Sequence, residues 1–403
     1  MSRRNLKLLG IIVMLLIGSL FWRSSEERDV SLTSEGSNRM LFGDVPSEKI
    51  ARVIIADGSG KSELLLVDNQ WVLPARSNYR ADNTKVQAFV LNLLSLSVSK
   101  VVSNSTKDYE KLGVGERLDG SGIGKVLFFD VENSVLGGLH VGSLRERANS
   151  SPQKPKIFDG QYLRRVGENA VYLLDEAISI NSSNLFWLDL SLANVLTSRI
   201  ESVEQARLKS DGEVLVEFEL IRNAAFQGAS DTSFVPGGTV VEGARVRPLT
   251  ISQVVSGLEN LRLNDVARRT NAVGNGALPV EFDMKTTYRL LNGLSYAVST
   301  HESKESEKYY AAIEVKFDME RASRLVEREE QAKQEEASSI GSGDDSNSKK
   351  IERELKMSNV EEAKVLNEAY APWIYELPDY LAQKFRSSKE DLFERAESQK
   401  PVF

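Results

Sequence analysis

Short apolar runs broken at close intervals by turn residues constrain this chain most, because alternation over four to eight residues suits a half-buried strand and gives no helical face. ARVIIA and SELLLVD are such runs, joined by Asp57 to Lys61, and QWVLP follows the turn pair Asp68-Asn69. A meander of three strands is the expectation. Pro74 then precedes RADNTKVQAFVLNLLSLSVSK, where Asp82 is placed to cap a helix and Val86, Phe89, Val90, Leu93 and Leu94 recur at i, i+3, i+4, i+7 and i+8. That helix has one face to lay on a sheet. KVLFFDV, SVLGGLHVG, QYLRRVG and AVYLLDE follow, each of strand composition and separated by Gly, Asn or Pro signals.

A weaker echo of the same order comes later in the chain. SRIESVEQARLK and EVLVEFELIR form a second opening hairpin, and RPLTISQVVSGLENLRLNDV a second helix, with Thr250 at the cap and Val254, Val255, Leu258 and Leu261 on its apolar face. MKTTYRLL, LSYAVST and KYYAAIEVKF then read as strands. Between hairpin and helix, AAFQGASDTSFVPGGTVVEGARVRP reads as a long loop. From Met319 to Leu366 no aromatic residue occurs, and two charged, helix-favouring stretches flank the breaker GSGDDSNS. Sustained apolar heptads are missing, so a solvated charged surface is expected there rather than a coiled coil. Aromatics return in YAPWIYELPDYLAQKF, where Trp373, Tyr375, Leu377 and Pro378 make a candidate docking tail.

The N-terminus sets the location. Arg3, Arg4 and Lys7 precede an apolar run that includes Leu8, Ile11, Ile12, Val13, Leu15 and Leu16, and continues through Ile17, Leu20, Phe21 and Trp22. Leu8 to Trp22 spans only ~22 Å as a helix against a ~30 Å hydrocarbon core, so Leu6 and snorkelling by Lys7 and Arg23 must help. The run ends on bulky residues rather than a small-x-small cleavage site, which favours an uncleaved signal anchor in the cytoplasmic membrane. The basic head stays in the cytoplasm and the body lies outside it, in the periplasm of a two-membrane cell. The expected fold is therefore α+β: an N-terminal transmembrane helix, two similar units of antiparallel sheet packed on a helix, and a charged helical C-terminal region. Residues 1–25 make the anchor, 26–46 a linker, 47–192 and 193–318 the two units, and 319–403 the charged helices and tail.

Composition narrows the chemistry. A net charge of −7 and no basic stripe interleaved with aromatics argue against nucleic acid as a partner. With no cysteine, no thiol nucleophile or cysteine zinc site is available, and imidazole chemistry is left to His140 and His301 alone. His140 sits on a strand face with Gly138 and Gly142, a structural setting; His301 lies in a polar loop-like stretch. The pentapeptide GSGKS at Gly58 to Ser62 resembles the end of a phosphate loop, but Ile55 stands where the first glycine belongs and a strand, not a helix, follows Ser62. Gly120 to Val126 fails likewise, with Asp119 in the glycine's place. Both read as turns, and no nucleotide or other cofactor and no metal is expected. Acid pairs such as Glu361-Glu362 lack the apolar surroundings that would separate two pKa values.

QWVLP, RADNTKVQAFVLNLLSLSVSK, YEKLGV, LHVG, LFWLDLSL and the ending YAPWIYELPDYLAQKF together resemble a bacterial family known as domain of unknown function 4340. The resemblance implies an extracytoplasmic companion of gliding-type ABC transporters, working beside a permease, an ATPase and a larger auxiliary protein. It carries no catalytic or binding residue onto positions here. The function expected is a non-enzymatic, membrane-anchored accessory or scaffold protein of such a complex. The alternative is an extracytoplasmic sensory domain that recognises an envelope glycan or lipid through a cleft between the two units.

Overall fold

A computed structural model describes residues 39–98, 100–118, 123–147, 157–223, 234–238, 244–269, 281–323 and 345–395. The expected membrane anchor, from Leu8 to Trp22, lies outside the described residues; among those described, no helix is long and apolar enough to cross a membrane. The fold is α+β, its strand ladders antiparallel among the described residues, in two compact units, Met1–Asp189 and Leu190–Phe403.

In unit 1 the chain runs β1 (Arg39–Met40), β2 (Arg52–Asp57), β3 (Gly60–Val67), β4 (Gln70–Leu73), β5 (Tyr79–Arg80), α1 (Asn83–Leu94), β6 (Ser97–Val98) and β7 (Lys100–Ser103). There follow α2 (Tyr109–Leu112), β8 (Gly124–Phe129), β9 (Val135–Arg147), β10 (Ile157–Arg165), β11 (Val171–Leu174) and α3 (Asn184–Trp187). One sheet takes the order β5-β4-β3-β2-β8-β9-β10-β11-β7, and β1 pairs with β6 apart from it. The alternation read from the sequence sets its inner face: Val53 and Ile55 on β2, and Val126 and Phe128 on β8, are fully buried. Val86, Val90, Leu93 and Leu94 of α1 turn inward as their spacing requires.

The body begins earlier than the linker reading placed it. Leu41 and Phe42 are buried, and Phe42 meets Phe128 edge-on with ring centroids 5.7 Å apart. Arg165 stacks over Phe42, donates to the Leu41 carbonyl at 2.9 Å and pairs with Asp44 at 2.8 Å, while Arg39 pairs with Glu168 at 3.1 Å. Two apolar residues in a polar stretch give no periodicity, so only tertiary partners reveal them.

Unit 2 runs β12 (Ser191–Ala193), β13 (Ile200–Leu208), β14 (Val214–Arg222), β15 (Phe234–Pro236), β16 (Ala244–Val246), α4 (Pro248–Val255), β17 (Leu261–Arg262) and β18 (Asp265–Arg268). It continues through β19 (Met284–Leu290), β20 (Leu294–Ser303), β21 (Lys308–Phe317), α5 (Asp345–Tyr370), β22 (Trp373–Leu377), α6 (Asp379–Ala382) and β23 (Phe393–Arg395). Its main sheet has the order β15-β14-β13-β19-β20-β21-β22-β18, with β12 on β17 and β16 on β23 as separate pairs. The helix expected to be capped by Thr250 starts earlier, with Arg247 at the N-cap and Pro248 in the first turn, because proline's fixed φ suits a helix start. The glycine-serine breaker is likewise shorter than read, since α5 already includes Asp345 to Ser348. The candidate docking tail is a strand of the sheet: β22 pairs with both β18 and β21, burying Tyr375 and Leu377.

Candidate functional site

The helix α1 lines a roomy concavity in unit 1. Asp82 accepts the Lys85 amide at 3.0 Å and fixes the helix start, so the apolar stripe faces the core and the opposite stripe, Ala88, Asn92 and Ser95, is left outside. That outer stripe is one wall of a groove of about 530 Å³. Residues Glu176 to Ser179, the coil after β11, form the other wall, and Phe186 and Trp187 contribute the aromatic surface. Trp187 is buried and meets Phe89 edge-on at 5.0 Å and Phe186 at 4.9 Å, while Phe186 stays exposed. Lys85 lies over the Phe186 ring at 5.0 Å and donates to its carbonyl at 2.9 Å. An apolar, aromatic surface edged by a few polar groups is the usual make-up of a binding groove.

The far wall is fastened by the stretch that looked like a phosphate loop. Gly58 and Ser59 turn β2 into β3, with Asp57 opposite Gly60, and Lys61 lies in the strand. Neither Gly58 nor Gly60 takes a positive φ. The Asp57 carboxylate holds the turn instead, accepting the Ser59 amide at 2.7 Å, the Ser59 hydroxyl at 2.6 Å and the Gly60 amide at 3.1 Å. It also accepts the Ser182 hydroxyl at 2.6 Å, and Ser62 Oγ donates to the Ser182 carbonyl at 2.8 Å. Partial burial pushes the Asp57 carboxyl up, but hydrogen bonds from Ser182 and Ser59 outweigh it and hold the pKa at about 2. Next along the chain, the Asn181 carbonyl accepts the Trp187 indole N–H at 2.8 Å. The hairpin therefore positions the aromatic wall.

The second polar cluster of unit 1 surrounds His140 on β9. Gly142 lets the segment after α2 cross tightly, since a Cβ there would collide with the Leu112 carbonyl and with Val114. That crossing brings Glu116 over the strand, where it lies 3.3 Å from His140 Nε2, 2.7 Å from Arg164 and 3.0 Å from Lys125. Burial first, then the Arg164 charge, lowers the His140 pKa to about 4 despite Glu116. Burial pushes the Glu116 carboxyl up, but the Arg164 hydrogen bond leads the contacts that hold it at about 2. His140 is thus a buried neutral base inside an ion-pair network. His301, in unit 2, has Nδ1 at 3.9 Å from Asp283, and that carboxylate is held in two parallel bonds by Arg386 at 3.0 and 2.7 Å. No group of three or more His, Asp or Glu side chains placed to hold a metal occurs among the described residues.

Of the tail residues, Tyr375 and Leu377 are core, Trp373 lies beside Arg268 at 6.0 Å, and Pro378 caps α6. None of them joins the groove. Its residues escaped the sequence reading because Ala88, Asn92 and Ser95 are the helix positions left over once the apolar stripe is assigned. The Phe-Trp pair in LFWLDLSL was the available signal. The chain matches the family model described as Domain of unknown function (DUF4340) over residues 71–277, just over half of its 403 residues. No curated protein and no solved structure matches it. From Trp71 on β4 the match takes in α1, both groove walls and the first part of unit 2, and by that extent the chain belongs to the DUF4340 family.

Proposed function

We propose that this chain is a non-enzymatic accessory protein, held in the cytoplasmic membrane by residues 1–25, whose extracytoplasmic body binds protein partners in a gliding-type ABC transporter complex. The groove along α1 carries this reading: it is open, aromatic and edged by Lys85 and Glu176, while the Asp57 and Glu116 clusters of unit 1 are consumed in holding the fold. The basic head and apolar run at the N-terminus support the membrane attachment.

The same proposal takes the two units as copies of one module. Dropping β5, unit 1 has the order β4-β3-β2-β8-β9-β10-β11-β7, and unit 2 repeats it as β15-β14-β13-β19-β20-β21-β22-β18. The small pairs β1-β6 and β12-β17 correspond as well. Finer details agree. The N-cap amide of α1, on Asp82, bonds the Trp187 carbonyl at 2.9 Å, and that of α4, on Arg247, bonds the Leu392 carbonyl at 2.8 Å. At the other end the C-cap serines 95 and 256 each donate to the carbonyl three residues back, Asn92 at 2.9 Å and Gln253 at 3.2 Å.

Affinity purification of the full chain in detergent from native membranes tests the transporter reading. A permease and an ATPase subunit should co-purify in comparable amounts; recovery of neither would remove it. A second reading is favoured by the exposed Phe186 ring, which also suits an envelope glycan or lipid. Saturable binding of such fragments, with no transporter subunit recovered, would put that reading first.

A further inference from the structure

The place in unit 2 that corresponds to the groove is filled by the chain itself. After β22, α6 lies on β21 and the turn Gln383–Phe385 against α4, burying Leu381, Ala382 and Phe385. Phe385 meets Tyr288 edge-on at 6.1 Å and packs onto Gly257, where an added Cβ would stand 3.0 Å from its ring. Beside it, Lys384 donates to the carbonyl and hydroxyl of Ser256, both at 3.3 Å, at the C-terminal end of α4. A cation placed there meets the negative end of the helix dipole. In unit 1 the corresponding segment, from Leu174 to Trp187, is two residues shorter than that from Leu377 to Leu392 and remains coil from Ala177 to Ser183. It supplies no lysine, its aromatic residues, Phe186 and Trp187, come only at its end and line the groove, and the groove stays open beside Ser95.

We infer that the unit 1 groove is a docking site for a segment of a partner protein bearing a basic residue followed by a bulky aromatic one, the pair with which Lys384 and Phe385 close the corresponding place in unit 2. The inference rests on the units being copies of one module. Charge supports this occupant. The register of β11 on β7, Leu173 opposite Lys100, carries the outgoing chain past the C-terminal end of α1, so Glu176 and the helix end lie together. Both favour a cation. Phe89, Phe186 and Trp187 offer the aromatic side chain edges and faces, as Tyr288 does for Phe385. A lipid chain or neutral glycan would leave the helix end and Glu176 without a positive partner.

A synthetic peptide of residues 378–389 is the probe, because it already has this chemistry. Its binding to the full chain in detergent is followed by anisotropy of a terminal fluorophore. Saturable binding is expected, at least tenfold weaker when the peptide carries Phe385→Ala or Lys384→Ala, and at least tenfold weaker to the Ala88→Arg protein. Gln87→Arg puts the same charge on α1 outside the groove lining and should leave binding unchanged. No saturable binding overturns the inference, as does binding that Ala88→Arg leaves intact or that anionic lipid vesicles or glycan fragments displace while the peptide variants bind alike. If transporter subunits co-purify equally with wild type and Ala88→Arg, the accessory reading survives and the docking inference falls. If the peptide binds as expected and no subunit co-purifies, the reverse holds.

Discussion

Replacing Phe385 by alanine tests whether the C-terminal segment is part of the unit 2 core. The ring is fully buried, sits edge-on to Tyr288 and packs on Gly257. Withdrawing its transfer from water costs about 2 kcal/mol. The void left by a side chain of roughly 100 Å³ adds about 2 kcal/mol if the site collapses little, at about 24 cal/mol per Å³. Loss of the aromatic pair brings up to about 1 kcal/mol more. The total, about 4 to 5 kcal/mol, lies at the top of the range for Phe→Ala in cores. Hydrogen exchange followed by mass spectrometry reads this locally, since amides that exchange through unfolding lose about tenfold in protection for every 1.4 kcal/mol. Peptides covering β19 to β21 should therefore lose roughly a thousandfold in protection, and Phe385→Leu far less. A loss under tenfold would mean that the segment lies on the surface, and the plugged-groove comparison would fail with it.

Asp57→Ala should lower stability at pH 7 by about 1 kcal/mol: a carboxyl taken from 3.8 to about 2 corresponds to about 2.4 kcal/mol, discounted by roughly half because the group is partly solvated. Because the folded pKa is the lower one, this contribution is complete above about pH 5 and is lost as pH falls from 3.8 towards 2, so thermal unfolding curves of wild type and variant should converge by pH 2. Lys61→Ala, removing an exposed cation 3.6 Å from Glu63, should shift stability by less than about 0.5 kcal/mol and leave binding unchanged; ATP binding abolished by it would contradict the hairpin reading. His140 is held neutral with its pKa lowered from 6.5 to about 4, so wild type loses stability as pH falls from 7 to 5, and His140→Gln should flatten that slope. Parallel melting-temperature profiles across pH 5 to 7 would show that His140 takes up its proton as easily folded as unfolded.

Much of the fold was legible because strand alternation and helix spacing are local. Val53 and Ile55, Val126 and Phe128, and Val86, Val90, Leu93 and Leu94 of α1 stand where their periods put them, while Phe89 of the same stripe turns to the groove. What was hidden depended on distant partners. Leu41 and Phe42 are core only because β8 and Arg165 meet them, and β22 is a strand only because β18 and β21 flank it. The GSGKS stretch shows both sides. Its wrong spacing excluded a phosphate loop, while its actual fastening, Asp57 and Ser62 to Ser182 more than a hundred residues away, has no signature in the pentapeptide. The groove is an arrangement of leftover faces, so only the Phe186-Trp187 pair hinted at it.

Photo-crosslinking in the native membrane is the most direct test of the groove as a partner site. With p-benzoylphenylalanine in place of Ala88 in the full chain, irradiation should join it to one polypeptide that mass spectrometry identifies as a transporter subunit, through a segment with adjacent basic and aromatic residues. The same photoreactive residue in place of Gln87, outside the groove lining, should give little product. Equal products from both positions, or lipid adducts alone from Ala88, would contradict a protein-binding groove.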